Sequence, residues 1–229
     1  MSAGKILIAG TGRAGTTLLI DVFTELGLDT GFRRGAPVDA RARAGLERSI
    51  FAENAPRIVK NPGLSKKLGQ ILAEGRVDIE HVIVPVRDLD VAVASRVRVS
   101  DYGRTHGIRG GMVGGKTPRS QRSYLAELFY ELVWTLVEHD VPHTFLAFPR
   151  FASDAAYTYS KLAWMLDGID EETLRSALAA RTDSTIITES PLSADELRRA
   201  RVGALYATTI ALPVAKVRHW LRLSGDRND

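Results

Sequence analysis

Cysteine is absent from the 229-residue chain, which excludes disulfides, thiolate metal sites and cysteine nucleophiles together. Histidine is scarce: the five residues His81, His106, His139, His143 and His219 are scattered. They offer no helical HxxxH site, and no metal is expected. Long apolar runs are missing as well. Ile6–Ala9 is too short for the core of a leader and runs straight into glycines. The stretch 203–215 falls short of the roughly 20 residues that a bilayer span needs. A soluble, cytoplasmic protein with no membrane partner is expected. Charge of one sign is modest: the net value is +4, which permits an anionic ligand without naming it. What remains, 45% hydrophobic and 25% charged residues, is the make-up of an ordinary globular chain long enough to bury a sizeable core.

Four short β-rich runs stand out at Lys5–Ala9, Arg57–Val59, His81–Val86 and His143–Phe148. Between them lie segments of helical period: Thr17–Leu26, Ser65–Glu74 and Arg122–Glu138, the last with one broad apolar face from Leu125 to Leu136. Short apolar strands alternating with helices predict a mainly parallel sheet buried on both faces, an α/β fold in three α/β/α layers. Beyond the fourth run the pattern becomes helical, over about 153–223. Ser153 or Asp154 is expected to cap one helix, and Asp170–Ala180 forms a second. A Ser193–Glu196 capping box opens a third, and Ala204–Leu223 is a last stretch that Pro213 should kink or split. No linker divides the chain, so one domain over 1–229 is expected. The segment 101–121 differs in kind, with six glycines and several arginines and lysines. A loop of that length suggests a flexible basic binding segment.

The strongest local signal is Gly10-Thr11-Gly12-Arg13-Ala14-Gly15-Thr16-Thr17, between the first strand and the first helix. Such a turn presents backbone N–H groups and a helix dipole to a phosphate. Its spacing fits GxxxxGK[ST], except that Thr16 stands where that pattern has lysine. The absent lysine argues against an ordinary ATPase, GTPase or kinase. Gly10, Gly12 and Gly15 also match GxGxxG, but no second strand places the acidic residue that a dinucleotide site needs.

Arg13-Ala14-Gly15-Thr16-Thr17 resembles the 5′-phosphosulfate loop of the PAPS-dependent sulfotransferases, with Ala14 in place of the usual serine. A second motif supports the resemblance. The third strand ends in Pro85-Val86-Arg87, and Ser95 follows eight residues later, similar to the family's arginine-and-serine site for the 3′-phosphate. Leu89 stands where the family usually has proline, and the family's next Arg-Asp pair is not in register. A third match is Arg57-Ile58-Val59-Lys60-Asn61-Pro62, whose Lys60 ends the second strand as the family's sulfuryl-facing lysine does. The resemblance implies a P-loop nucleotide-binding fold and a transferase that moves a sulfuryl group from PAPS to a hydroxyl or amine acceptor, leaving PAP. It implies that Gly12, Arg13, Ala14, Gly15, Thr16, Thr17, Arg87 and Ser95 hold the nucleotide. Arg13 and Lys60 would then serve catalysis, without metal.

The general base stays open among Asp29, Asp39, Glu47, Glu53 and His106. Arg181–Thr185 lies where the family closes a loop over the nucleotide, and a polar inter-helix linker explains it slightly better. One alternative is a nucleotide-dependent kinase or NTP-binding protein that uses Arg13 or Lys60 in place of the missing lysine. Another is a non-catalytic nucleotide or nucleic-acid binder. Tyr102 is the one aromatic residue in the basic segment, so base stacking has little support and no nucleic-acid partner is expected. The acceptor and the oligomeric state are not legible in the sequence.

Overall fold

Alternating strands and helices resolve, in a computed structural model, into four parallel strands in the order β2-β1-β3-β4. The structure describes residues 4–39, 44–100, 110–183, 187 and 189–206, with Leu205 and Tyr206 described by their backbone alone. The strands are β1 (Lys5–Ile8), β2 (Ile58–Lys60), β3 (Ile79–Val86) and β4 (His143–Ala147). Ile8 pairs with Lys60 on one side and with Ile83 on the other, so β1 is central. Successive side chains of a strand alternate faces, and the core divides accordingly. Ile6 and Ile8 pack with α1 (Thr16–Glu25) and with α5 (Arg150–Ser153), α6 (Ala155–Leu162) and α7 (Glu171–Arg181). Leu7 and Ala9 pack the other way, with α2 (Leu68–Glu74) and α4 (Pro118–Glu138). That is the expected three-layer α/β/α arrangement. Because β1 leads to β2 on one side and the chain then crosses to β3 on the other, the strand order reverses at β1. Its C-terminal end therefore opens a crevice of the kind where such sheets bind ligands.

Several boundaries differ from the sequence reading, each for a local reason. The helix expected over Ser65–Glu74 is split into a 3-10 turn at Pro62–Lys66 and α2, because Asn61 accepts from the Gly63 amide and starts the turn early. Helix α4 begins at Pro118 rather than Arg122. Thr117 caps it, exchanging bonds with Ser120, and proline tolerates the first turn. Residues 118–121 thus belong to a helix and not to the basic loop. Positions 110–113 are tied down: Arg96 donates to Gly111 O at 2.5 Å, and the Val113 amide donates to Gln121 Oε1 at 2.7 Å. Positions 101–109, with His106, lie outside the described residues.

In the C-terminal part α5 starts at Arg150, ahead of Asp154, which caps α6 as expected. Asp170 caps α7, and Ser193 and Glu196 form the expected capping box on α8 (Ala194–Tyr206). Helix α8 runs through the expected start at Ala204, and 207–223, with Pro213, lie outside the described residues. No described helix is long and apolar enough to cross a membrane.

Glu196 also holds α8 to the rest of the molecule. Arg98, near the end of α3 (Leu89–Val99), donates to its carboxylate at 2.8 and 3.1 Å and to the Ser190 and Pro191 carbonyls. The Arg98 bonds and the Ser193 amide hold the carboxyl down to about 2. A depressed folded-state pKa stabilises the fold above the ordinary carboxylate range and loses that effect as pH falls through the folded value. The wild type should therefore lose stability between about pH 4.5 and about pH 2 more steeply than Glu196→Gln. Chemical unfolding followed by circular dichroism at stepped pH reads the difference.

Candidate nucleotide site

Four backbone positions in the turn after β1 carry positive φ: Gly10, Gly12, Arg13 and Gly15. Glycine accepts this without strain; Arg13, at φ 60°, is held there by its neighbours. Ser65 pins the turn from below, its hydroxyl bonded at 3.0 Å to both the amide and the carbonyl of Gly10. Arg96 pins it from the side by donating to Thr11 O at 2.6 Å. The turn ends at Gly15, which precedes the first residue of α1 and brings no side-chain cap. The opening amides of a helix have no acceptor within it and carry the positive end of its dipole, so this mouth turns donors and partial positive charge toward the cleft.

Around the mouth lies a cleft of about 250 Å³, walled by Gly12, Arg13, Gly15, Thr16 and Thr17, by Lys60, and by Arg87 and Ser95. Eight of the nine residues singled out by the sequence therefore line one cleft. Ala14 does not: its side chain is fully buried away from the cleft. The missing serine hydroxyl thus falls at a packing position.

The two anchors also touch each other. Arg13 Nε donates to Ser95 Oγ at 3.0 Å, and Arg87 Nη1 donates to Arg13 O at 2.9 Å. Arg87 lies at the end of β3, and Ser95 is carried by the second turn of α3, whose N-terminus Asp88 caps. Arg87 Nε and Nη2 and Arg96 Nε are buried with no hydrogen-bond acceptor. Neither arginine forms an ion pair among the described residues. Burial, with the neighbouring charge of Arg13 and then Arg98, lowers Arg87 to about 10; burial and Arg13 lower Arg96 to about 10 as well. Burial also lowers Arg13. All three remain cationic at neutral pH, and their mutual repulsion is what a bound anion would relieve.

At the other side of the mouth Lys60 Nζ sits 2.6 Å from Glu47 Oε1 and donates to Thr17 Oγ1 at 3.0 Å and to Gly45 O. Lys60 is 2% exposed, so its ammonium is held inside the protein and does not reach out to the surface. Of the five candidate bases, Glu47 alone lines the cleft among the described residues. Asp29 accepts the Arg57 amide at the foot of β2, Asp39 bridges to Ala44, and Glu53 lies in a separate hollow with Lys5, Arg76 and Asp78. Arg181, taken for part of a linker, ends α7 and forms a two-pronged pair with Asp21 of α1 at 2.7–2.9 Å, on the cleft wall. Of the loop beyond it, Asp183 also lines the cleft, and 184–186 lie outside the described residues.

Ser65, Arg96, Phe148 and Asp21 were missed by the sequence reading. Arg96 adjoins Ser95, and a second arginine one residue after an anchor serine was the only available signal. Phe148, just past β4, had none. The chain matches no known family model, no curated protein and no solved structure.

Proposed function

We propose that the chain is a sulfotransferase with PAPS as co-substrate and a hydroxyl or amine acceptor. The observation that carries the reading is Arg87: a guanidinium on the cleft wall with two buried donors left unbonded, next to Arg13, Ser95 and an open helix mouth. A buried donor without an acceptor costs about 1–3 kcal/mol, which a bound anion would recover. PAPS fits that demand because it is anionic at both ends, and the cleft has donors at two places. The amides from Gly12 to Thr17 would hold the 5′-phosphate, and Arg87 the 3′-phosphate, with Ser95 beside it holding Arg13.

When bound, PAPS supplies an activated sulfuryl group on its 5′-phosphate. Arg13 and the helix mouth would stabilise negative charge there, since fixed donors in a partly enclosed site need no reorganisation. Glu47 Oε1 would take the acceptor's proton. Lys60 fixes that carboxylate and adds positive charge beside it. As the acceptor's oxygen or nitrogen attacks the sulfur, its proton passes to Glu47, the bond from sulfur to the 5′-phosphate oxygen breaks, and PAP leaves with that electron pair.

Calorimetric titration with adenosine 3′,5′-bisphosphate (PAP), beside ATP with and without Mg²⁺, tests the reading. Metal-independent binding of PAP is expected. Arg87→Ala should weaken it about 10- to 100-fold, the value of losing hydrogen bonds from a charged group. Tight Mg²⁺–ATP binding with no response to PAP would replace this reading by the nucleotide-dependent kinase or NTP-binding alternative.

A further inference from the structure

We infer that Phe148 is a positioning residue that sets how well the site distinguishes a nucleoside bisphosphate from a monophosphate; the inference rests on the PAPS reading. Phe148 follows β4, and its amide donates to Val86 O at 2.7 Å, which seats it beside the end of β3 where Arg87 begins the anchor. The Arg87 guanidinium lies over its ring, 4.9 Å from the centroid. On its other side the ring packs against the phosphate turn: a Cβ on Gly15 would meet Phe148 Cδ2 at 2.6 Å. The side chain therefore touches both Arg87 and the turn, and it lines the cleft.

Among the described residues Arg87 has one hydrogen bond that fixes it, from Nη1 to Arg13 O. A single bond leaves a guanidinium free to rotate about that contact. The aromatic face removes this freedom, because a cation held over a ring also fixes the plane of its donors. Nε and Nη2 are thereby kept unbonded and in place for an anion, rather than turning to a backbone carbonyl. Preorganised donors bind more tightly because no ordering remains to be done on binding. Behind Gly15 the ring is not alone, since Phe151 Cζ lies 2.8 Å from the same Cβ position. The phosphate turn thus keeps a buttress when Phe148 is shortened, whereas Arg87 loses the one ring it lies over among the described residues.

The test compares PAP with AMP, which lacks the 3′-phosphate, on wild type, Phe148→Leu, Phe148→Tyr and Arg87→Ala. Phe148→Leu should lose about tenfold in PAP affinity, the upper range of a partly buried cation–π contact, and keep AMP affinity within about twofold. Phe148→Tyr should retain the wild-type ratio. In the Arg87→Ala background, Phe148→Leu should change PAP binding no further, because its effect runs through Arg87. AMP binding also reports that each variant is folded. Equal losses for PAP and AMP, or no loss for either, overturn the inference while leaving the PAPS site standing. A wild type that does not bind PAP removes the PAPS reading itself, and this inference with it.

Discussion

Gly15→Ala is expected to abolish the proposed binding of PAP and to lower stability by about 3 kcal/mol. Gly15 has φ 80°, and its Cβ position lies 2.6 and 2.7 Å from the Phe148 ring and 2.8 Å from Phe151 Cζ. An alanine in the left-handed region costs roughly 1–2 kcal/mol by itself. Overpacking against two rings held by β4 and α5 adds a similar amount, since neither is the loose end of a flexible chain. The backbone can escape only by turning Gly15 away, which moves the amides of Thr16 and Thr17 out of the mouth. Gly27 is the internal control: it also has positive φ, at 79°, but nothing lies within 4 Å of its Cβ position. Gly27→Ala should therefore pay only the backbone term and keep nucleotide affinity. Urea unfolding and PAP titration on the two variants separate strain from collision. Equal losses for both would show that the rings do not define the turn.

The contrast between Gly15 and Gly27 shows what a sequence displays and what it hides. The glycines after β1 announced a turn with donors, because backbone freedom is written in residue type. Strands were legible as short unbroken apolar runs such as Ile6-Leu7-Ile8, which suit a sheet covered on both faces, and helices by their period. Arg87 and Ser95 were legible as a pair through their spacing on a strand and the next helix. Their shared partner was not. That Arg13 bridges them depends on how β1 and β3 lie side by side, a pairing 74 residues apart in the chain. Phe148 was hidden more deeply, since its role comes from the end of β4 reaching the end of β3. The choice among Asp29, Asp39, Glu47 and Glu53 was equally unreadable. Among the described residues between α1 and β2 there is no helix or strand whose period could orient one carboxylate rather than another.

Glu47 lines the cleft, and its pair with Lys60 yields the second large effect. Glu47→Ala should destabilise the protein by about 3 kcal/mol or more, and Lys60→Met by distinctly less. The asymmetry comes from burial: the Lys60 side chain is 2% exposed and Glu47 31%. Removing the carboxylate takes away the charge 2.6 Å from an ammonium that water does not reach; removing the ammonium leaves a carboxylate that can hydrate. Thr17 Oγ1 and Gly45 O still accept from Lys60 in Glu47→Ala, but neither carries charge. The double variant Glu47→Ala/Lys60→Met should be more stable than Glu47→Ala alone, because the buried charge goes with its counterion. Sulfuryl transfer separates the structural and chemical roles of the pair. If Glu47 takes the acceptor's proton, Glu47→Gln should bind PAP as the wild type does and lose transfer by about 100-fold or more, within the range ascribed to a positioned base. Full transfer activity in Glu47→Gln would leave the pair as a buried strut between Lys60 at the end of β2 and the segment that precedes that strand, and would return the search for the base to the acceptor side of the cleft.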